Sequence, residues 1–191
     1  MSKNAFWLAM IFVAAIVGVL LGPILFKGMS LDSLLLFTAI TFGLIIAYCV
    51  WAISKNKNAL PADPAAQANA KAMAPASGMG RIYVTRRGFV AALQGMDIEI
   101  ANIGKSQIKS GQMLMAEVVP GSYKLSCQTA NAKLSKPSEM DVTVAAGDNV
   151  VIDAMFEMGA LKGSIKLTQL SAGKAQDNVA ATKLMRWADA G

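Results

Sequence analysis

The side chains able to do chemistry are few in this chain. It has no histidine, two cysteines and twelve methionines among 191 residues. Without imidazole there is no Ser-His-Asp or Cys-His nucleophile system, no histidine metal site and no ordinary proton shuttle. Cys49 lies inside a long apolar run and Cys127 in a segment of strand-like alternation. They make a poor disulfide pair, form no CxxC motif, and read as small buried hydrophobes. Met113 and Met115 share a strand face, with Met155 and Met158 further on. Such thioethers suit copper(I), but with no Cys or His beside them core filling is the better reading. Asp97 and Glu99 sit on an outward strand face with no second acid to pair with. There is no P-loop, GxSxG or dinucleotide fingerprint. The expectation is a protein that is no enzyme and holds no metal or cofactor.

Two basic residues, Arg86 and Arg87, end the first strand and are candidate contacts for a partner's carboxylates or for phosphate; a solvated loop end is the plainer reading. The net charge of +6 is evenly spread, with five Lys against two acids in 1–79 and 13 Lys+Arg against ten acids in 80–191. Neither part is basic enough, nor interleaved with aromatics, to bind nucleic acid. Mild attraction to anionic lipid headgroups is the simpler implication.

The elements that would position these residues fall into four parts. Residues 5–26 and 34–53 carry no charge. At about 1.5 Å per residue each is long enough to cross a hydrocarbon core of about 30 Å. The first is too long for a signal-peptide core, and bulky Leu25-Phe26-Lys27 follows where a cleavage site would need small residues. Residues 1–54 are therefore expected to form a two-helix membrane hairpin. Tyr48 and Trp51 would anchor the second span at the interface. Each span carries small residues four apart: Ala14, Gly18 and Gly22 in the first, Ala39, Gly43 and Ala47 in the second. Such ridges let helix backbones approach closely, either within the hairpin or against another protein's helix. With no charge in either span, a transport path is not expected. Lys55 and Lys57 follow the second span, whereas Lys27 is balanced by Asp32 in the intervening loop. That asymmetry puts both termini, and the domain that follows, in the cytoplasm.

Residues 55–79 are rich in Ala and Pro and read as a linker. Within it, Asp63-Pro64 is a helix start and Pro75 a stop, which predicts a short helix over 64–74. From Gly80 the pattern changes to period two: Ile82 and Val84, Ile98 and Ile100, Tyr123, Leu125 and Cys127, Met140, Val142 and Val144, then Val150, Ile152, Ala154 and Phe156. Turn signals separate the runs. Pro120-Gly121 fits the centre of a type II turn, and Ala146-Gly147-Asp148-Asn149 closes a hairpin. The spacing predicts an antiparallel β-sandwich of seven or eight strands over 80–170. Residues 171–191 form a C-terminal helix or tail. The spacing of Ala180, Leu184, Trp187 and Ala188 places a helix over 174–189, with Trp187 a possible anchor on a partner or a membrane surface.

The order Gly80-Arg-Ile-Tyr-Val-Thr-Arg86, then Ile98-Glu-Ile-Ala-Asn-Ile-Gly-Lys105, Met115-Ala-Glu-Val-Val-Pro-Gly-Ser-Tyr-Lys124 and Val144-Ala-Ala-Gly-Asp-Asn-Val150 resembles a bacterial domain-of-unknown-function family of small β-sandwiches. That family is similar in style to PEGA and transthyretin-like carboxypeptidase-regulatory domains. The resemblance covers about residues 80–168. It implies an Ig-like or transthyretin-like sandwich that is non-catalytic and often envelope-associated, and it carries over no functional residue. Such domains are commonly exported, whereas the lysines here favour the cytoplasm.

Taken together, the sequence suggests a membrane helical hairpin joined to an all-β domain in the bacterial inner membrane. Its expected role is an accessory subunit of a larger assembly, respiratory, photosynthetic or secretory, with lipids and other membrane subunits as partners. The alternative is a free-standing anchored module that binds a ligand or envelope polymer through its loops.

Overall fold

A computed structural model describes residues 11–13, 16, 18, 22, 26–159 and 162–188. The chain divides into two compact units, Met1–Ser54 and Lys55–Gly191.

In the first unit, helix α1 spans Leu31–Ile53, 23 residues. It begins where Ser30 accepts a hydrogen bond from the Ser33 N–H at 3.3 Å, with Asp32 favourably placed in the first turn. Its side chains are apolar all round and none is buried. Thr38 and Thr41 donate to the Leu34 and Phe37 carbonyls at 2.8 and 2.9 Å, so their hydroxyls are satisfied within the helix. Among the described residues, this one helix near the N-terminus is thus long and apolar enough to span a membrane. The expected first span at 5–26 lies largely outside the described residues. Those described within it before Phe26 are helical, and the Phe26 ring lies 5.4 Å from that of Phe37.

The second unit is built from two sheets. Its strands are β1 Gly80–Arg86, β2 Met96–Ile100, β3 Gly104–Ile108, β4 Gln112–Val118, β5 Gly121–Thr129, β6 Ser138–Val144, β7 Asn149–Glu157, β8 Ser164–Gln169 and β9 Lys183–Leu184. One sheet has the order β8-β7-β1-β4-β9 and the other β3-β2-β5-β6. Their facing sides share one apolar cluster, with Ile82, Val84, Leu114 and Ile152 from the first sheet and Met96, Ile98, Leu125 and Val142 from the second. The alternating runs of the sequence account for this inner layer.

Four expectations need correction. The four-stranded sheet is antiparallel, but in the other β1 runs parallel to β7 and β4 parallel to β9. Period-two alternation assigns faces, and the direction of a neighbouring strand is set by the connections. Gly121 is not in the left-handed region, so it opens β5 instead of completing a type II turn. The Tyr123 hydroxyl ties this connection down by donating to the Val119 carbonyl at 2.7 Å. Gly147 does take φ +84° in a tight turn, but that turn carries the chain from β6 of one sheet to β7 of the other, so the expected hairpin over 146–149 is a connection between sheets.

The fourth correction concerns the C-terminal helix. Helix α3 covers Ala172–Ala181 and stops there. Thr182 turns extended, with its hydroxyl donating to the Asn178 carbonyl at 2.8 Å. Lys183 and Leu184 then pair with Gln112 and Met113 as β9. The helical spacing through Leu184 and Trp187 belongs to an extended segment, because a free sheet edge competes successfully for it.

Part of the Ala/Pro-rich stretch is integral to this unit. Helix α2, Pro64–Ala72, starts at Asp63, whose carboxylate accepts from the Ala66 N–H at 2.8 Å. It ends at Met73 in the left-handed conformation, φ +50°. With α3 it covers the outer face of the five-stranded sheet: Ala70, Ala175 and Val179 pack against Tyr83, Met113 and Val151. Polar ties complete the attachment. Tyr83 donates to the Ala70 carbonyl at 3.0 Å, Arg81 to the Asn69 carbonyl and side chain at 2.9 and 2.8 Å, and Gln67 exchanges two bonds with Leu184. Hence Arg81, Tyr83 and Thr85, outward by alternation, are fully covered.

Replacing Asp63 with alanine removes the cap of a nine-residue helix and is expected to lower the denaturant midpoint without changing the slope of the transition. Acid has a related effect. The Ala66 N–H holds the Asp63 carboxyl below its usual range, and the Ala76 N–H, followed by Arg81, does the same for Glu117. A depressed carboxyl contributes stability above its unfolded pKa and loses it as pH falls through the folded value. Protection factors in α2, taken relative to the intrinsic exchange rate at each pH, should therefore hold from neutrality to about pH 4 and fall below it.

Candidate functional site

Arg86 is buried at 2% exposure, which corrects its assignment as a partner contact or solvated loop end. Its guanidinium donates to the carbonyls of Ala91, Gln94 and Ile108. Burial lowers its pKa to about 10, so it remains charged at neutral pH. The planar fork gathers three carbonyls converging from loop 88–95 and the end of β3, a job that suits arginine. Ala91 sits in the left-handed region at φ +54° within that loop. A second clamp comes from Asn56, whose side chain donates to the Leu93 carbonyl at 2.7 Å and accepts from the Gly95 N–H at 2.6 Å. Gln107 accepts from the Lys57 N–H at 2.6 Å and donates to Asp97 at 2.8 Å. The loop is thus held from Ala91 to Gly95, yet it leaves Phe89 87% and Leu93 76% exposed.

Arg87 is exposed and donates to the Asn178 side chain at 2.9 Å. Asn178 also donates to Thr85, which lies 3.3 Å from the Asp153 carboxylate. Burial raises the Asp153 pKa, against hydrogen bonds from Thr85 and the Arg87 backbone. A raised acid costs the fold stability as pH climbs through that value. Asp153→Asn keeps the acceptor for Thr85 and is expected to raise the melting temperature at neutral pH. Melting curves of the two proteins should converge in acid.

The other polar candidates hold the fold together. Trp187 packs on the shared core and donates from Nε1 to the Met115 carbonyl at 2.8 Å. That position corrects its reading as a helical anchor for a partner or membrane. Met113 is buried and Met115 packs beside it in the outer cluster, while Met155 is exposed. Cys127 is buried, its pKa pushed up to about 12, which disfavours the thiolate. Glu99 pairs with Lys105 at 3.4 Å on the exposed face. Among the described residues no three His, Cys, Asp or Glu side chains come together as a metal site would require.

In α1, Tyr48 and Trp51 lie near the C-terminal end with rings 5.8 Å apart. Ala39, Gly43 and Ala47 follow one another at helical spacing. Beyond the local helix backbone, no described atom lies within 4 Å of where a Cβ would stand at Gly18, Gly22 or Gly43. Ala14 lies outside the described residues. The chain matches no family model and no curated protein.

The loop clamped by Arg86 and Asn56 is the feature that sequence reasoning missed. In the sequence Phe89 is an isolated aromatic. Its one signal was position: two large apolar residues, Phe89 and Leu93, between glycines at 88 and 95.

Proposed function

We propose that this chain is a non-catalytic, membrane-anchored accessory subunit of a larger bacterial membrane assembly. The helical hairpin docks in the bilayer of the inner membrane, and the two-sheet domain caps or bridges neighbouring subunits. The observation that carries this reading is a division of labour. No side chain of the apolar helix α1 is buried, whereas the buried arginines of the β domain are spent on internal scaffolding. An enzyme would aim such groups into a cleft. The two sheets over one core support an Ig-like or transthyretin-like sandwich of the PEGA style. Lys55 and Lys57 support a cytoplasmic β domain. Energy-converting and secretion assemblies are hosts of the right kind.

Site-specific photocrosslinking in native membranes tests the docking. A photoreactive residue at Ala47, on the small-residue ridge, is expected to give an adduct with another polypeptide. Adducts with lipid alone at Ala39, Gly43 and Ala47 would count against it. Gly43→Leu, which fills the ridge, should reduce the adduct formed from Ala47.

A further inference from the structure

We propose that loop 88–95 is a second membrane contact, inserting Phe89 and Leu93 into the interfacial layer of the bilayer that α1 spans. The proposal rests on the membrane-anchored reading of α1. Three observations carry it. First, the exposure is built in. Phe89 and Leu93 are 87% and 76% exposed on a loop whose Ala91 and Gln94 carbonyls are held by a buried guanidinium and whose Leu93 carbonyl is held by Asn56. Soluble surfaces rarely present large apolar side chains together on a preorganised loop without a use for them. Second, the chain itself brings the loop to the membrane. Asn56, which grips Leu93 and Gly95, is three residues beyond Ile53, the last residue of α1. Three extended residues reach about 11 Å at most, so Asn56 stays near the helix end whatever the angle between helix and domain. Third, the charge is suitable. Lys55, Lys57 and Arg87 are exposed, and neither 54–60 nor 86–95 contains an acid. Lysine and arginine beside aromatic and aliphatic side chains are the composition of an interfacial contact.

The occupant is lipid, since Asn56, which holds the loop, follows the last residue of α1 by three positions. Insertion would fix the tilt of the β domain over the bilayer and so present its far surfaces to partner subunits in one orientation.

The test uses the full chain in vesicles of phosphatidylcholine and phosphatidylglycerol. A cysteine is placed at Phe89, Leu93 or, as control, the exposed Val119, in a Cys49→Ala background. Each is labelled with an environment-sensitive fluorophore, Cys127 being too buried to react. A parallel sample carries the label at the native Cys49. Nitroxides attached to lipid, shallow or deep, act as quenchers. The expected result is loss of emission at 89 and 93 with the shallow nitroxide, loss at 49 in the same vesicles, and none at 119. Quenching at 49 but not at 89 and 93 overturns the loop contact and leaves the anchor standing. Absence of quenching at 49 overturns the anchor, and the loop contact with it. Equal quenching at 89, 93 and 119 overturns the loop as the specific site. Phe89→Ser with Leu93→Ser should abolish the loop's contribution without moving the melting temperature, since neither side chain packs internally.

Discussion

Arg86→Ala is expected to destabilise the Lys55–Gly191 unit by about 3 kcal/mol, and to do so through loop 88–95. The guanidinium serves the carbonyls of Ala91, Gln94 and Ile108. Truncation leaves all three acceptors without it, and each unpaired buried polar group costs about 1–3 kcal/mol. Two terms oppose that loss. Burying a charge is itself expensive, and the mutant is spared the expense. Water can also reach the partly exposed Ala91 once the loop opens. The orphaned carbonyls should win because Gln94 and Ile108 are buried. Arg86→Lys tests the geometry directly. Lysine keeps the charge but concentrates its donors at one point, so it should recover less than half of the lost stability. Urea titration gives the magnitude, and hydrogen exchange over 89–95 locates it. A mutant as stable as the parent would show that the fork does not hold the loop.

Ile98→Ala is the second large effect, at about 3 kcal/mol. Ile98 is completely buried on β2 and belongs to the cluster shared by both sheets. Removing three carbons there leaves a cavity walled by two backbones that cannot both collapse inward. The more telling result is cooperativity. Because the cluster joins the sheets, loss on the four-stranded side should lower the single unfolding transition of the whole unit, α2 and α3 included. Two separate transitions, with the five-stranded sheet unaffected, would mean the layers do not share a core.

The sequence was most legible where one physical rule acted alone. Chargeless runs announced α1, and Asp63-Pro64 announced the start of α2 to the residue. Alternation marked five of the eight strands between Gly80 and Gln169, namely β1, β2, β5, β6 and β7. It failed where two rules competed. Arg81, Tyr83 and Thr85 obey the outward phase of β1, yet α2 and α3 cover that face, because long-range docking turns an apparently solvated face into an interior one. Leu184 and Trp187 keep helical spacing but lie beyond the end of α3, where strand pairing with β4 captures the chain. Arg86 sits where charge usually means solvent, and only the convergence of three carbonyls explains its burial. The apolar tips of loop 88–95 were overlooked for the opposite reason. They have no periodicity, and their meaning comes from Asn56, a residue 39 positions from Gly95 in sequence.

The central claim is that this chain works as an anchored part of something larger. Gentle detergent extraction from native membranes, followed by sizing with detection of this chain, tests it most directly. The expected result is migration well above that of a single 20.1 kDa chain in its detergent belt, with other membrane polypeptides in the same peak. Migration as a lone monomer with nothing accompanying it would contradict the claim.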